Sequence, residues 1–126
     1  MKNNIIIIAK NLLQDSTENY PMCAIIHKKN TILATGLNQS NKTHPLSQRT
    51  TYNAGIHAEL AAILKVRYRD LTNCEITVVR VSKEDGSLRM AKPCRHCQIL
   101  IKAFGIQKVN YSNEFGNITS IRMKRI

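Results

Sequence analysis

Residues 57–59, His57-Ala58-Glu59, and residues 93–97, Pro93-Cys94-Arg95-His96-Cys97, each stand at the start of a predicted helix. The first stretch opens residues 56–68, which are rich in the strong helix formers Ala and Leu. The second begins with a proline, whose missing N–H would be unpaired in the first turn of a helix in any case. Each stretch alone is a weak signal. Together, in this order and both at helix N-termini, they form a specific one.

Metal ligation explains the residue types in the two stretches. His57, Cys94 and Cys97 offer one imidazole and two thiols, which are donors that zinc prefers, and three protein ligands leave a fourth position for water. Two thiolates would cancel the charge of Zn²⁺, and helix N-termini favour the thiolate form. Glu59 lies two residues beyond His57, so it is predicted to stand beside the water and move its protons without ligating the metal.

H-x-E followed by P-C-x-x-C is the signature of zinc-dependent nucleobase deaminases. The chain resembles the cytidine deaminase superfamily over nearly its whole length, from the first predicted hairpin to the last strand. The resemblance implies a zinc ion on the three ligands named above, with Glu59 as the proton shuttle. It also assigns substrate contacts to Asn38, through the pattern Gly36-Leu37-Asn38, and to Ala58.

The rest of the chain predicts a layered architecture around these two helices. We expect a first helix over residues 5–14, a hairpin over residues 22–35, a strand over residues 75–81, and short strands over residues 109–111 and 118–123. This order predicts an α/β fold, a three-layer α/β/α sandwich on a mixed sheet of about five strands with helices on both faces. The last two strands are joined by too few residues for a parallel crossover, so they should pair antiparallel.

Length, apolar runs and cysteine usage predict the number of domains and the cellular compartment. The 126 residues are expected to form a single domain over 1–126. The apolar run Ile5–Ile8 is too short for a signal peptide or a membrane span, which needs roughly 20 residues. We therefore expect a reducing, cytoplasmic compartment, with no membrane partner and no disulfide framework. Cys23 and Cys74 fall in apolar strand patterns and are predicted to be buried small hydrophobes.

The charge balance is strongly basic. Nineteen Lys and Arg residues against eight Asp and Glu residues give a net charge of +11. A field of this sign attracts nucleotides, single-stranded nucleic acid and other polyanions without choosing among them. Arg89, Lys92 and Arg95, close to the second stretch, are candidates to hold a substrate phosphate or to form a solvated face. His44 and Arg49, in a long polar loop, are candidates for the mouth of a pocket.

Other sequence features resemble different branches of the superfamily. The Asp85-Gly86 turn and the short connection between the last two strands are similar to the free-nucleoside branch. That branch usually has a glutamate where this chain has Ser40. The long loop before His57 and residues 103–109 resemble the deoxycytidylate and tRNA-adenosine branches. The sequence is a mixture of these patterns.

The leading hypothesis is a zinc-dependent hydrolytic deaminase of a cytosine-type base in a free nucleoside or nucleotide. The first alternative is a deaminase of cytosine or adenine in single-stranded DNA or RNA. The second is a catalytically silent nucleic-acid-binding protein with structural zinc, which would need Cys74, Cys23 or His96 as a fourth ligand. By resemblance alone, the protein is expected to form a homo-oligomer.

Overall fold

Six strands and three helices form the architecture in the computed structural model, which describes residues 2–39, 57–66 and 70–123. The elements follow in the order α1 (Lys2–Leu13), β1 (Met22–Lys28), β2 (Thr31–Leu37), α2 (Ala58–Val66), β3 (Glu75–Val81), β4 (Leu88–Arg89), α3 (Arg95–Ala103), β5 (Lys108–Ser112) and β6 (Ile118–Arg122). Ser40, His44 and Arg49, which the sequence analysis singled out, lie outside the described residues.

The sheet is mixed, with strand order β2-β1-β3-β5-β6, and β4 pairs with β3 off this path. Strand β1 runs antiparallel to both β2 and β3, whereas β3 and β5 are parallel. The last hairpin, β5–β6, is antiparallel, as its short connection predicted. Strands β2, β3 and β5 therefore all end at the same side of the sheet, which we call the carboxyl edge.

Helices cover both faces of the sheet and complete the three layers. Helix α1 buries residues at a four-residue spacing, Ile5, Ala9 and Leu13, against Cys23 and Val79 on one face. Helices α2 and α3 pack on the other face, which we call the helix-pair face, where Ile76, Val78, Ala62 and Ile101 belong to one buried cluster. The three-layer α/β/α prediction is confirmed.

Helix α2 lies unusually close to β2, and a glycine allows this. A Cβ atom added to Gly36 would lie 2.5 Å from the carbonyl oxygen of Ala58 and closer still to the backbone nitrogen of Ala62. The first turn of α2 is thereby held against the end of β2, at the carboxyl edge. In open α/β sheets, ligands bind outside the carboxyl ends of the strands.

The structure differs from the sequence expectations in a few places. Strand β4 was not predicted, because two residues carry no periodic pattern, and it brings the sheet to six strands rather than about five. Helix α3 begins at Arg95 rather than Pro93, since Cys94 has an extended backbone and acts as the N-cap. Cys74 is buried as expected but precedes β3 instead of lying within it. None of the described helices combines the length and the apolar character that crossing a membrane requires.

Candidate active site

An imidazole and two thiols meet at the carboxyl edge of the sheet. His57 immediately precedes α2, while Cys94 and Cys97 belong to the first turn of α3. The Nδ1 atom of His57 lies 3.1 Å from Sγ of Cys97 and 3.9 Å from Sγ of Cys94. All three donor atoms lie within 4.8 Å of one another. The structure thus brings together the three residues that the sequence predicts as zinc ligands.

The start of α3 orients its two thiols through local hydrogen bonds. The Sγ atom of Cys94 accepts a hydrogen bond from the backbone N–H of Cys97, 3.4 Å away. The side-chain amide of Gln98 donates to the carbonyl oxygen of Pro93 at 2.8 Å, which ties the entering chain to the helix. The positive end of the helix dipole lies at this turn, and a dipole end of this sign attracts anions.

Burial shifts the pKa of two of the three donors, His57 and Cys97, when no metal is present. Burial lowers the pKa of His57, and the neighbouring charge of His96 lowers it further, so the imidazole is held in the neutral form that ligates metals. Burial also raises the pKa of Cys97, followed by the charges of Glu59 and Cys94. A divalent cation would reverse this balance at Cys97, because it would stabilise the thiolate that burial disfavours there.

The donor set fits zinc. Tetrahedral zinc, with bonds of about 2.3 Å to sulfur and about 2.0 Å to nitrogen, would place such N and S atoms about 3.5 Å apart. The observed separations of 3.1 and 3.9 Å lie on either side of this value. Within residues 2–39, 57–66 and 70–123, no fourth His, Cys, Asp or Glu joins the cluster. In general, catalytic zinc sites use three protein donors and keep a fourth position for water, whereas structural sites use four protein donors.

A buried carboxyl group lies beside this cluster. Glu59, in the first turn of α2, is only 2% exposed, and its Oε1 atom is buried with no hydrogen-bond partner. Burial raises the pKa of Glu59 to about 7, although hydrogen bonds from its own backbone and from the Cys97 thiol act in the opposite direction. An unpartnered buried oxygen is costly to the fold. Its position and its pKa suit a group that accepts and returns protons near neutral pH.

The two residues assigned substrate contacts by resemblance have different surroundings. Ala58 is fully buried and is the first residue of α2. Its backbone N–H is therefore one of the first four in the helix, which have no acceptor within the helix. Asn38 follows β2, and its side-chain oxygen accepts from the backbone N–H of Met22 at 2.9 Å. Its side-chain nitrogen donates to the carbonyl oxygen of Tyr20 at 3.0 Å. Asn38 therefore fastens the segment that leads into β1.

The three candidate phosphate-binding cations, Arg89, Lys92 and Arg95, are all exposed. Arg89 lies 3.9 Å from the carboxylate of Asp85, the residue four positions before it.

Two residues that were not predicted from the sequence, Arg80 and Tyr20, also lie at this end of the sheet. The guanidinium carbon of Arg80 lies 4.9 Å from the centre of the Tyr20 ring. The signal that was available is the position of Arg80 in β3. It shares parity with Ile76 and Val78, whose side chains belong to the buried helix-pair face.

Comparison with known families and structures agrees with this geometry. A family model described as the cytidine and deoxycytidylate deaminase zinc-binding region matches residues 2–113. That span includes both helices that carry the cluster. Comparison with the curated proteins finds no match.

Two solved structures illustrate the likeness of the fold. The crystal structure of dCMP deaminase from the cyanophage S-TIM5, in complex with dCMP and dUMP, aligns with a TM-score of 0.64 and 23% identity, over 90% of this chain and 81% of that one. The structure of cytidine deaminase from Burkholderia pseudomallei aligns with a TM-score of 0.68 and 16% identity, over 97% of this chain and 92% of that one. At these identities, the similarity establishes a shared fold.

Proposed function

The chain belongs to the cytidine and deoxycytidylate deaminase family, and on that premise we propose that it is a zinc-dependent hydrolytic deaminase. Its substrate is a cytosine-type base in a free nucleoside or nucleotide, such as cytidine, deoxycytidine or dCMP. The products are the corresponding uracil compound and ammonia.

One observation carries this proposal above the others. A carboxyl group that is only 2% exposed, with an unpartnered oxygen, is placed beside a His/Cys/Cys donor set. A structural metal site gives no reason to bury Glu59 in this way, whereas proton transfer does. The same observation opposes a catalytically silent nucleic-acid-binding protein.

The chemistry follows from the roles of these side chains. When bound on His57, Cys94 and Cys97, zinc supplies Lewis-acid chemistry that lowers the pKa of water to about 7. Glu59 accepts a proton from the attacking water and passes it to the ring nitrogen of the base, while the water oxygen bonds to the amine-bearing carbon. Glu59 then carries the remaining hydroxyl proton to the amino group, and the carbon–nitrogen bond breaks with release of ammonia.

Support for a monomeric cytosine substrate comes from the comparisons and from the short connection between the last two strands. The similar cyanophage dCMP deaminase was solved with dCMP and dUMP, and the other similar protein is a cytidine deaminase. In this chain, a turn of a few residues joins β5 directly to β6. Such a short connection resembles the branch of the superfamily that acts on free nucleosides.

The charge favours a second candidate, a deaminase of cytosine or adenine in single-stranded nucleic acid. The net charge of +11 would strengthen binding to a phosphate backbone.

The oligomeric state is a separate prediction. By resemblance to the family we expect a homo-oligomer, and sedimentation analysis would test this.

The experiment that tests this proposal measures ammonia release by zinc-loaded protein and identifies the deaminated product by its mass. The substrates are cytidine, deoxycytidine, dCMP, CMP, and single-stranded oligonucleotides that contain cytosine or adenine. Turnover of a monomer supports the proposal. Turnover of oligonucleotides alone would replace it with the second candidate, and the absence of any turnover would refute both.

A further inference from the structure

Arg80 is a cation on the face of the sheet that packs against the two helices of the site. It is the register partner of Met22 on β1 and of Arg89 on β4. Direct partners in antiparallel strands place their side chains on the same face. Met22 packs against the buried cluster of the helix-pair face, so Arg80 and Arg89 also lie on that side.

Among the residues that the structure describes, none is an acidic partner for the charge of Arg80. Its Nε atom is buried and unpartnered, and the side chain makes no hydrogen bond or ion pair with any part of the chain that the structure describes. All eight side-chain carboxylates of the protein belong to described residues, so none is hidden elsewhere. They are Asp15, Glu18, Glu59, Asp70, Glu75, Glu84, Asp85 and Glu114.

An unpaired cation at this depth costs the fold free energy, and a second cation adds to the cost. Burying part of a charged group without an acceptor is unfavourable, and like charges directly opposite each other across two strands repel. Arg89, opposite Arg80, has a single distant carboxylate partner, Asp85. The pair of arginines therefore presents a positive field that an external anion would neutralise.

Several hydrogen bonds hold this cation in a fixed relation to the zinc-ligand segment. The hydroxyl of Ser112 accepts from the backbone N–H of Arg80 at 3.1 Å and donates to the carbonyl oxygen of Arg89 at 2.6 Å. The carbonyl oxygen of Ser112 accepts from the N–H of Ala91 at 2.8 Å, three residues before Cys94. Ser112 thus fastens Arg80 and the segment entering α3 to the end of β5.

Tyr20 completes the arrangement by contacting the guanidinium group. The ring lies against Arg80 with a separation of 4.9 Å, and it is itself 66% exposed. Asn38 anchors Tyr20 through its backbone carbonyl. An aromatic ring on one face of a guanidinium group leaves the edges of that group to other partners, and because Nε is buried here, the terminal Nη N–H groups of Arg80 are the ones that would donate to phosphate oxygens.

We propose that Arg80, oriented by Tyr20 and assisted by Arg89, binds the phosphate of the substrate, so that the enzyme selects a nucleoside monophosphate over the corresponding nucleoside. This inference rests on the proposed deaminase function and specifies the substrate class of the same site. Arg80 is a specificity-determining residue in this account, and Tyr20 and Asn38 are positioning residues.

The test compares deoxycytidine with dCMP in zinc-loaded full-length protein, for the wild type, Arg80→Gln and Arg80→Lys. Arg80→Gln is expected to lower kcat/KM for dCMP by roughly 10- to 100-fold, the worth of a charge-assisted contact, and to change kcat/KM for deoxycytidine less than about twofold. Arg80→Lys keeps the charge but loses the planar fork, so its loss should be intermediate. Arg122→Gln is the matched control, because it removes the same charge from an exposed site on β6 and should alter neither value.

Binding of the product gives a readout that is independent of turnover. Calorimetry should show that wild-type protein binds dUMP more tightly than deoxyuridine and that Arg80→Gln removes the difference. If calorimetry shows this preference for dUMP and its loss in Arg80→Gln, but no monomer is deaminated, the proposed function fails and the phosphate site stands. If the wild type deaminates both substrates equally, or if Arg80→Gln reduces both equally or neither, the phosphate inference is overturned and the deaminase function stands. If Arg80→Gln does not fold, Tyr20→Leu, a change at an exposed side chain, tests the same inference. It should lower kcat/KM for dCMP more than kcat/KM for deoxycytidine.

Discussion

The Nδ1 atom of His57 lies 3.1 Å from the Sγ atom of Cys97, although the two residues are 40 positions apart in sequence. The start of α2 and the start of α3 converge there, at the end of the sheet where β2, β3 and β5 finish. Each donor depends on the fold for its place, so zinc binding and the packing of the two helices should be coupled.

Zinc binding provides the first prediction. Cys94→Ser removes one thiolate ligand, so we expect purified protein to lose most of its zinc by elemental analysis and to unfold at a lower temperature. Cys23→Ala is the control: Cys23 is fully buried in the cluster beneath α1, on the opposite face of the sheet, and its replacement should leave the zinc content unchanged. Full zinc retention in Cys94→Ser would exclude the proposed ligand set.

The stability of the metal-free protein should depend on pH through Glu59. Burial raises the pKa of Glu59 to about 7 from an ordinary value of 4.5, so the folded state holds a proton that the unfolded state releases. The contribution of Glu59 is therefore fully present below about pH 4.5 and is lost as the pH rises through about 7. Between pH 5 and pH 8, the loss should be roughly 2 to 3 kcal/mol in the free energy of unfolding.

Glu59→Gln isolates this effect from the other titrating groups. Urea unfolding of metal-free wild type and variant at the two pH values should show a stability difference that shifts in favour of the variant as the pH rises. The lowered pKa of His57 acts with the opposite sign, since it costs stability as the pH falls, and it is common to both proteins. A stability difference that does not change with pH would contradict the raised pKa of Glu59.

Gly36 should be intolerant of a side chain because α2 lies directly over it. An added Cβ would collide with the backbone of Ala58 and Ala62, which cannot rotate away, so Gly36→Ala should cost about 1 to 3 kcal/mol and displace the helix that carries Glu59. Activity should therefore fall along with stability. Gly116→Ala is the control: that site has open space but a φ of 80°, so it should lose about 1 to 2 kcal/mol and keep its kcat. Normal activity in Gly36→Ala would show that α2 can shift without consequence for the site.

Asn38 offers a way to separate a direct substrate contact from a positioning role. Its side chain bonds the N–H of Met22 and the carbonyl oxygen of Tyr20. We expect Asn38→Ala to loosen Tyr20 and to lower kcat/KM for dCMP several-fold more than for deoxycytidine. Steady-state kinetics on both substrates measure this ratio. Equal losses would favour the sugar or base contact that the family resemblance assigns to Asn38.

The sequence was most informative where chemistry demands particular residue types at fixed spacing. The H-x-E and P-C-x-x-C stretches identified the donor set and Glu59, and helix-forming residues around them placed both at helix N-termini. The apolar alternation of residues 75–81 gave β3 with its observed bounds, Glu75–Val81. These features are local, so a single sequence contains them.

The features that the sequence did not reveal depend on contacts between distant segments. Arg80 appears in the sequence as one cation among nineteen, and only the pairing of β3 with β1 and β4 shows that it lies opposite Met22 and a second cation, Arg89. The two bonds of Asn38 to the segment before β1 span 16 and 18 residues. Strand β4 is too short for any periodic pattern and exists because it pairs with the end of β3.

The most direct measurement of the central claim is single-turnover ammonia release by zinc-loaded Glu59→Gln, compared with wild type and with Glu114→Gln, which removes an exposed carboxylate in the β5–β6 turn. The account predicts that Glu59→Gln binds zinc normally but releases ammonia about 10²- to 10⁴-fold more slowly, the usual worth of a general acid–base group. Glu114→Gln should match the wild type. Wild-type rates in fully zinc-loaded Glu59→Gln would contradict the assignment of Glu59 as the proton carrier and, with it, the proposed mechanism.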